Sequence, residues 1–143
     1  DNSNDDELKT WREFFKIGGV KDAPENGIEE FAMNYTMEKL KAFSKTIVPV
    51  EKRNFGYDIE ADAQTGEKIR IEVKGQSHDQ DVELKDNEAE AADVHKDSFY
   101  LCVVASIPEN PTIHMVKNPA APGIGKKDKL TIPVNIWKAA KWP

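Results

Sequence analysis

Apolar residues recur along this chain with two periods. Leu8, Trp11, Phe14, Phe15 and Ile17 fall at helical spacing, and Gly18-Gly19 ends the run. Ile28, Phe31, Ala32, Tyr35, Met37, Leu40 and Phe43 predict a second helix over Ile28–Phe43, with the wide apolar arc of a helix laid on a sheet. The period then drops to two. It predicts strands over Ile47–Val50, Phe55–Ala61 and Lys68–Gly75, the last two joined by the polar turn Asp62–Glu67 with Gly66 near its end. His78–Glu83 reads as a charged loop. Leu84–Lys96, rich in Ala and Glu, predicts a helix capped by Asp86 or Asn87, with Glu88 and Glu90 on a solvated face. Phe99–Ile107 is a continuous apolar run, as for a central strand. Pro108–Pro111 turns it into a strand over Thr112–Val116. Pro119–Gly125 reads as a loop, Leu130–Ile136 as an edge strand because it contains Pro133, and Trp137–Trp142 as a helical turn at best. The order α, α, β, β, β, α, β, β predicts an α/β fold, a mixed sheet flanked by helices.

Composition bounds the class. The chain has 143 residues, enough for one domain with a real core. Hydrophobic content of 38% beside 32% charged residues is that of a charged globular protein. No apolar run approaches the roughly 18–20 residues that span a bilayer, and no signal-peptide pattern is present. The start at Asp1 rather than Met fits a piece of a larger protein. Cys102 has no partner for an internal disulfide and sits in the apolar run Leu101–Val104, so a reducing, cytoplasmic setting fits.

Charge complicates any link to nucleic acid. The net charge is −6, and phosphate contacts call for Lys and Arg. The imbalance is local: residues 1–97 hold 14 Lys/Arg against 24 Asp/Glu, whereas residues 98–143 hold 6 against 2. Lys126, Lys127 and Lys129 form a weak basic patch, readable as phosphate contacts or as a solvated loop. Strong affinity for nucleic acid would therefore come from a neighbouring domain or from a metal.

The chemistry gathers at the hairpin. Centred on Thr65, it sets Glu60 opposite Arg70, Ile59 opposite Ile71 and Tyr57 opposite Val73. It also sets Asp58 opposite Glu72, two like charges with Cβ atoms about 5 Å apart. That confrontation is destabilising unless a cation intervenes, and Mg²⁺ or Mn²⁺ is a hard cation that takes carboxylate oxygens. Lys74 lies two residues beyond Glu72 and so on the same face, as does Gln76. Two carboxylates, a metal and a lysine can hydrolyse a phosphodiester. Asp58 and Glu72, with the Val73 carbonyl, would hold the metal. Lys74 would orient the attacking water or stabilise the transition state. Gln76 could touch the water or a phosphate, and Glu29 or Glu30 could add a helix acid, although acids near a helix start also serve its dipole. The rival reading of the same spacing is a solvated strand face. His78, His95 and His114 lack the spacing of a zinc site.

These motifs resemble the family named for the C-terminal domain of the plant protein NO VEIN, found also at the C-termini of bacterial helicases and ATPases, some linked to defence. The resemblance runs over residues 28–118. It rests on Ile28-Glu29-x-x-Ala32-Met33, on Asn54-Phe55-Gly56-Tyr57-Asp58-Ile59-Glu60 and on Ile71-Glu72-Val73-Lys74-Gly75. Leu84, Asn87-Glu88, Ala92, the strand Tyr100–Val104 and Asn118-Pro119 support it. That family resembles the restriction-endonuclease-like, PD-(D/E)XK fold. The resemblance implies an αβββαβ core, with Asp58, Glu72 and Lys74 as signature residues and Glu29 as the matching helix acid. Tyr57 stands where that signature has Pro. The expected organisation is a helical extension over 1–27, a nuclease-like core over 28–118, and a basic loop with an edge strand over 119–143. The expected function is a Mg²⁺-dependent nuclease module, a DNA endonuclease in a restriction or antiviral protein, with a helicase, ATPase or methyltransferase as neighbouring domain. The alternative is a catalytically inactive domain that binds nucleic acid or a partner.

Overall fold

The computed structural model describes residues 25–125 and 130–142. The expected helix at Leu8–Ile17 and the lysines Lys126, Lys127 and Lys129 lie outside these described residues. Helix α1 (Glu25–Leu40) is followed by strands β1 (Ser44–Pro49), β2 (Ile59–Ala63) and β3 (Lys68–Gly75), then by the two-residue strand β4 (Val82–Glu83) and helix α2 (Asp86–His95). Strands β5 (Phe99–Ala105), β6 (Thr112–Lys117) and β7 (Thr131–Ile132) and helix α3 (Val134–Ala139) complete the order. The main sheet runs β1-β2-β3-β5-β6. β3 and β5 are parallel, and the other pairs are antiparallel. With β4 set aside, the core order is the expected αβββαβ, and a mixed sheet lies between helices.

Side-chain parity explains the layers. Along β5, Phe99, Leu101, Val103 and Ala105 enter the core shared with α2 and α3, while Cys102 and Val104 enter the core under α1. Apolar on both faces, β5 takes an interior position between β3 and β6, as its unbroken apolar run requires, while the middle strand of the five is β3. β3 is apolar on one face only. Ile69 and Ile71 join Phe31, Ala32 and Leu40 of α1, so Arg70, Glu72 and Lys74 project toward the α2 side.

The β2–β3 hairpin has the expected register, with Ile59 opposite Ile71, Glu60 opposite Arg70, and Asp62 opposite Lys68. Glu60 and Arg70 nevertheless bond elsewhere. Glu60 Oε1 accepts the Tyr57 hydroxyl at 2.8 Å, and Arg70 donates to Ser98 Oγ at 3.0 Å.

Several expected boundaries move. The strand expected from Phe55 begins only at Ile59, because the chain bends through 54–58 with Asn54 at φ 57° and Gly56 at φ 91°. Tyr57 therefore packs in the α2/α3 core with Phe99, on the opposite side of the sheet from Ile59, and does not pair with Val73 on one face. The first strand starts at Ser44, three residues before Ile47. Helix α2 is capped by Lys85, not by Asp86 or Asn87; the Glu88 carboxylate accepts the Lys85 N–H at 2.9 Å. The edge strand expected over Leu130–Ile136 shrinks to Thr131–Ile132, which pairs with β4 in a separate small sheet. Pro133 ends it and, with φ fixed near the helical value, precedes the first residue of α3. Trp137 of α3 is fully buried. Among the described residues, no helix is long and apolar enough to cross a membrane.

Candidate active site

Asp58 sits where β2 parts from β3, and its backbone is pinned from both sides. Its N–H donates to Ile71 O at 2.8 Å, and its C=O accepts the Val50 N–H at 2.7 Å. Its carboxylate then takes the next rung of the ladder, with Oδ2 accepting the Val73 N–H at 2.8 Å. A strand residue points its N–H and C=O to the same edge, so the Val73 carbonyl faces the gap that Asp58 fills.

Glu72 and Lys74 project from β3 toward α2, and Glu88 projects back from the first turn of α2. Lys74 Nζ lies 3.3 Å from Glu72 Oε2. It also lies 3.1 and 3.2 Å from the two oxygens of Glu88. Glu72 is 4% exposed. Burial, its hydrogen bond with Glu88, and the charges of Asp58 and Glu88 push its carboxyl up to about 10. Burial also raises Asp58, against the pull of the Val73 N–H and Lys74. For Glu88, burial is outweighed by hydrogen bonds with Glu72 and the Lys85 N–H and by the Lys74 charge, and its pKa falls. Burial opposes the charge on Lys74, but Glu72 and Glu88 prevail and keep it above the usual lysine value. Lys74 thus stands between two carboxyl groups, with burial favouring the neutral form of Glu72 and the ion pair favouring the charged form of Glu88.

These groups line a cleft of about 630 Å³ between α1, β3 and α2. Six of its lining side chains are carboxylates, against the lysines Lys74 and Lys85. Glu29 of α1 lines it too, but is exposed and stands on the other side of the sheet from Glu88. Its approach depends on Gly75. A Cβ there would come within 2.9 Å of the Ala32 Cβ and the Ile28 carbonyl, so only glycine lets α1 settle on the end of β3.

The structure thus brings together Asp58, Glu72 and Lys74 and sets Glu29 at the rim. Gln76 is tied to the neighbouring loop. Its amide donates to Gln80 O at 2.8 Å and accepts the Gln80 N–H at 3.1 Å. Gln80 O also accepts the Trp137 indole N–H at 2.9 Å, so Gln76 anchors a loop to α3. Lys126 and Lys127 are outside the described residues. Glu88 is the correction: expected on a solvated helix face, it belongs to the site. Strand alternation alone puts Glu72 and Lys74 on one face of β3 without saying what covers it; the packing of Ile69 and Ile71 on α1 leaves that face to α2.

The donor set fits a hard divalent cation. Among the described residues, no three His, Cys, Asp or Glu side chains form a ready-made metal cage. Two carboxylates and a carbonyl would leave several positions to water or phosphate oxygens, as Mg²⁺ prefers. Glu72, buried beside the Asp58 carboxyl, is a group whose charged form a cation would favour.

No curated protein and no solved structure matches the chain. One family model does, over residues 28–116, from the residue before Glu29 to the end of the sheet. That span holds Asp58, Glu72, Lys74 and Glu88 together, and it covers more than half of the chain: the protein belongs to the family described as Protein NO VEIN, C-terminal.

Proposed function

We propose that this domain is a metal-dependent nuclease that hydrolyses phosphodiester bonds, with DNA as substrate, within a larger restriction or antiviral protein whose helicase, ATPase or methyltransferase domain delivers the nucleic acid. The observation that carries this reading is the meeting of Asp58, buried Glu72 and Lys74 where β2 leaves β3. Asp58, Glu72 and the Val73 carbonyl would hold Mg²⁺ or Mn²⁺, which when bound polarises the scissile phosphate and acidifies a water. Asp58, tied to the Val73 N–H, keeps one ligand oxygen fixed and the other turned away from that bond. Glu72 would serve as a ligand in its ionised form, which the charge of a bound cation would favour. Lys74 carries positive charge to the point where negative charge builds in the transition state. The buried thiol of Cys102, pushed up to about 12 by desolvation, is inert and suits a reducing cytoplasm.

The test is cleavage of DNA and RNA substrates with Mg²⁺ or Mn²⁺. Asp58→Ala and Lys74→Ala are each expected to lower the rate by about 100-fold or more. Absent activity, or equal activity in the variants, would sink the reading. The acid-rich cleft favours a second one, a silent domain that binds a partner. That reading predicts that Mg²⁺ leaves the melting temperature unchanged, whereas a metal site raises it by binding the native state, and Asp58→Ala abolishes the rise.

A further inference from the structure

We propose that Glu88 is the positioning residue for Lys74: it holds the ammonium group in one place in the cleft, and helix α2 serves as its mount. The inference rests on the nuclease reading for its catalytic consequence, but its structural content stands apart from it.

Three observations carry it. First, Glu88 is the carboxylate that grips Lys74 with both oxygens, at 3.1 and 3.2 Å, whereas Glu72 reaches it with one, at 3.3 Å. A lysine side chain has four rotatable bonds, and a single contact leaves its charge free to wander. Two oxygens on one side and one on the other define a place for it. Second, Glu88 is itself immobilised. Its Oε1 also accepts the Lys85 N–H at 2.9 Å, so the carboxylate that caps α2 is the one that grips Lys74. Third, the mount is locked to the bend that bears Asp58. Asn87 Nδ2 donates to Asn54 Oδ1 at 2.8 Å. Gly56 lies so close to the first turn of α2 that an added Cβ would stand 2.3 Å from the Asn87 carbonyl. Asn87 and Glu88 are neighbours, and Gly56 is two residues from Asp58. The same contact therefore sets Asp58 against β3 and Glu88 against Lys74. Side chains whose relative placement must hold to within about 1 Å are tied to one rigid joint.

Glu88→Gln separates grip from cap. The amide oxygen can still accept the Lys85 N–H, but the charge and the second oxygen that hold Lys74 are gone. The first readout is metal-free: ¹⁵N relaxation of the lysine ammonium groups. In the wild-type protein, Lys74 is expected to show a clearly higher order parameter than exposed Lys45, and in Glu88→Gln a value close to that of Lys45. The second is cleavage with Mg²⁺, where kcat is expected to fall by about 10- to 100-fold with KM little changed. An unchanged Lys74 order parameter in the variant overturns the proposal, as does a loosened Lys74 with full kcat. If Glu88→Gln does not fold, Glu88→Asp keeps the charge but is too short to reach both Lys85 and Lys74, and the same loosening is expected. If the wild-type protein cleaves nothing, the nuclease reading fails, while the relaxation comparison still decides whether Glu88 holds Lys74.

Discussion

Glu72 is a carboxyl group with almost no access to water, set between two other acids and one lysine. Water stabilises a carboxylate far better than a protein interior does, so the folded chain keeps the Glu72 proton that the unfolded chain gives up near 4.5. Between about pH 4.5 and about 10, the folded state binds more protons than the unfolded state, and stability falls as pH rises. Asp58, raised as well, acts in the same direction. Glu88, lowered, supplies stability that is present above its ordinary value and lost only in acid, so it does not mask the trend at neutral pH. His95, lowered by burial, adds stability only as pH rises through about 6.5, so above pH 7 and without metal the melting temperature is expected to decline steadily to pH 9, and Glu72→Gln, which has no proton to lose, to flatten the decline. Thermal melts in chelator across that range check it; a flat wild-type profile would mean that Glu72 is already ionised in the folded protein.

At the scale of elements, the site is a junction of one hairpin, one loop and one helix turn. The hairpin was legible in the sequence because the polar turn around Thr65 and the alternation on both sides admit one register that buries Ile59, Ile69 and Ile71 together. The loop was not legible. Phe55, Tyr57 and Ile59 continue the period of two, so alternation carries the strand back to Phe55. Only the left-handed turns at Asn54 and Gly56 break it, and they move Tyr57 to the opposite face. Glycine at 56 is needed twice over, for its φ of +91° and for the 2.3 Å that would separate a Cβ from the Asn87 carbonyl. Gly66 has a similar φ of +93° but nothing within 4 Å of an added Cβ. Gly56→Ala is therefore expected to cost about 3 kcal/mol or more, and Gly66→Ala about 1 kcal/mol. Denaturant unfolding of the two variants measures the difference; equal costs would mean that the contact between Gly56 and α2 is slack.

At the scale of the molecule, charge sets the conditions of action. The chain carries a net −6, and carboxylates outnumber lysines around the cleft. A polyanion meets repulsion there until cations are bound, so DNA affinity in chelator is expected to be weaker than about 100 μM at physiological salt. Fluorescence anisotropy with a labelled duplex tests this. Mg²⁺ is expected to tighten binding by about 10-fold or more, and that gain is expected to vanish in Asp58→Ala. Tight metal-free binding with a steep salt dependence would place the DNA contacts elsewhere on the chain.

Local pattern was enough to determine the two strands of the hairpin, the interior place of β5, the hairpin register from Ile59 onward and the shared face of Glu72 and Lys74. Each follows from a period, a turn or a strand geometry that a few consecutive residues specify. The tertiary structure alone decided which helix stands over the polar face of β3. A strand says that Glu72 and Lys74 share a face, but not what lies above it. That was settled when Ile69 and Ile71 gave their face to α1 and left the other to α2. The same choice set Glu29 at the rim and drew Glu88 into the site.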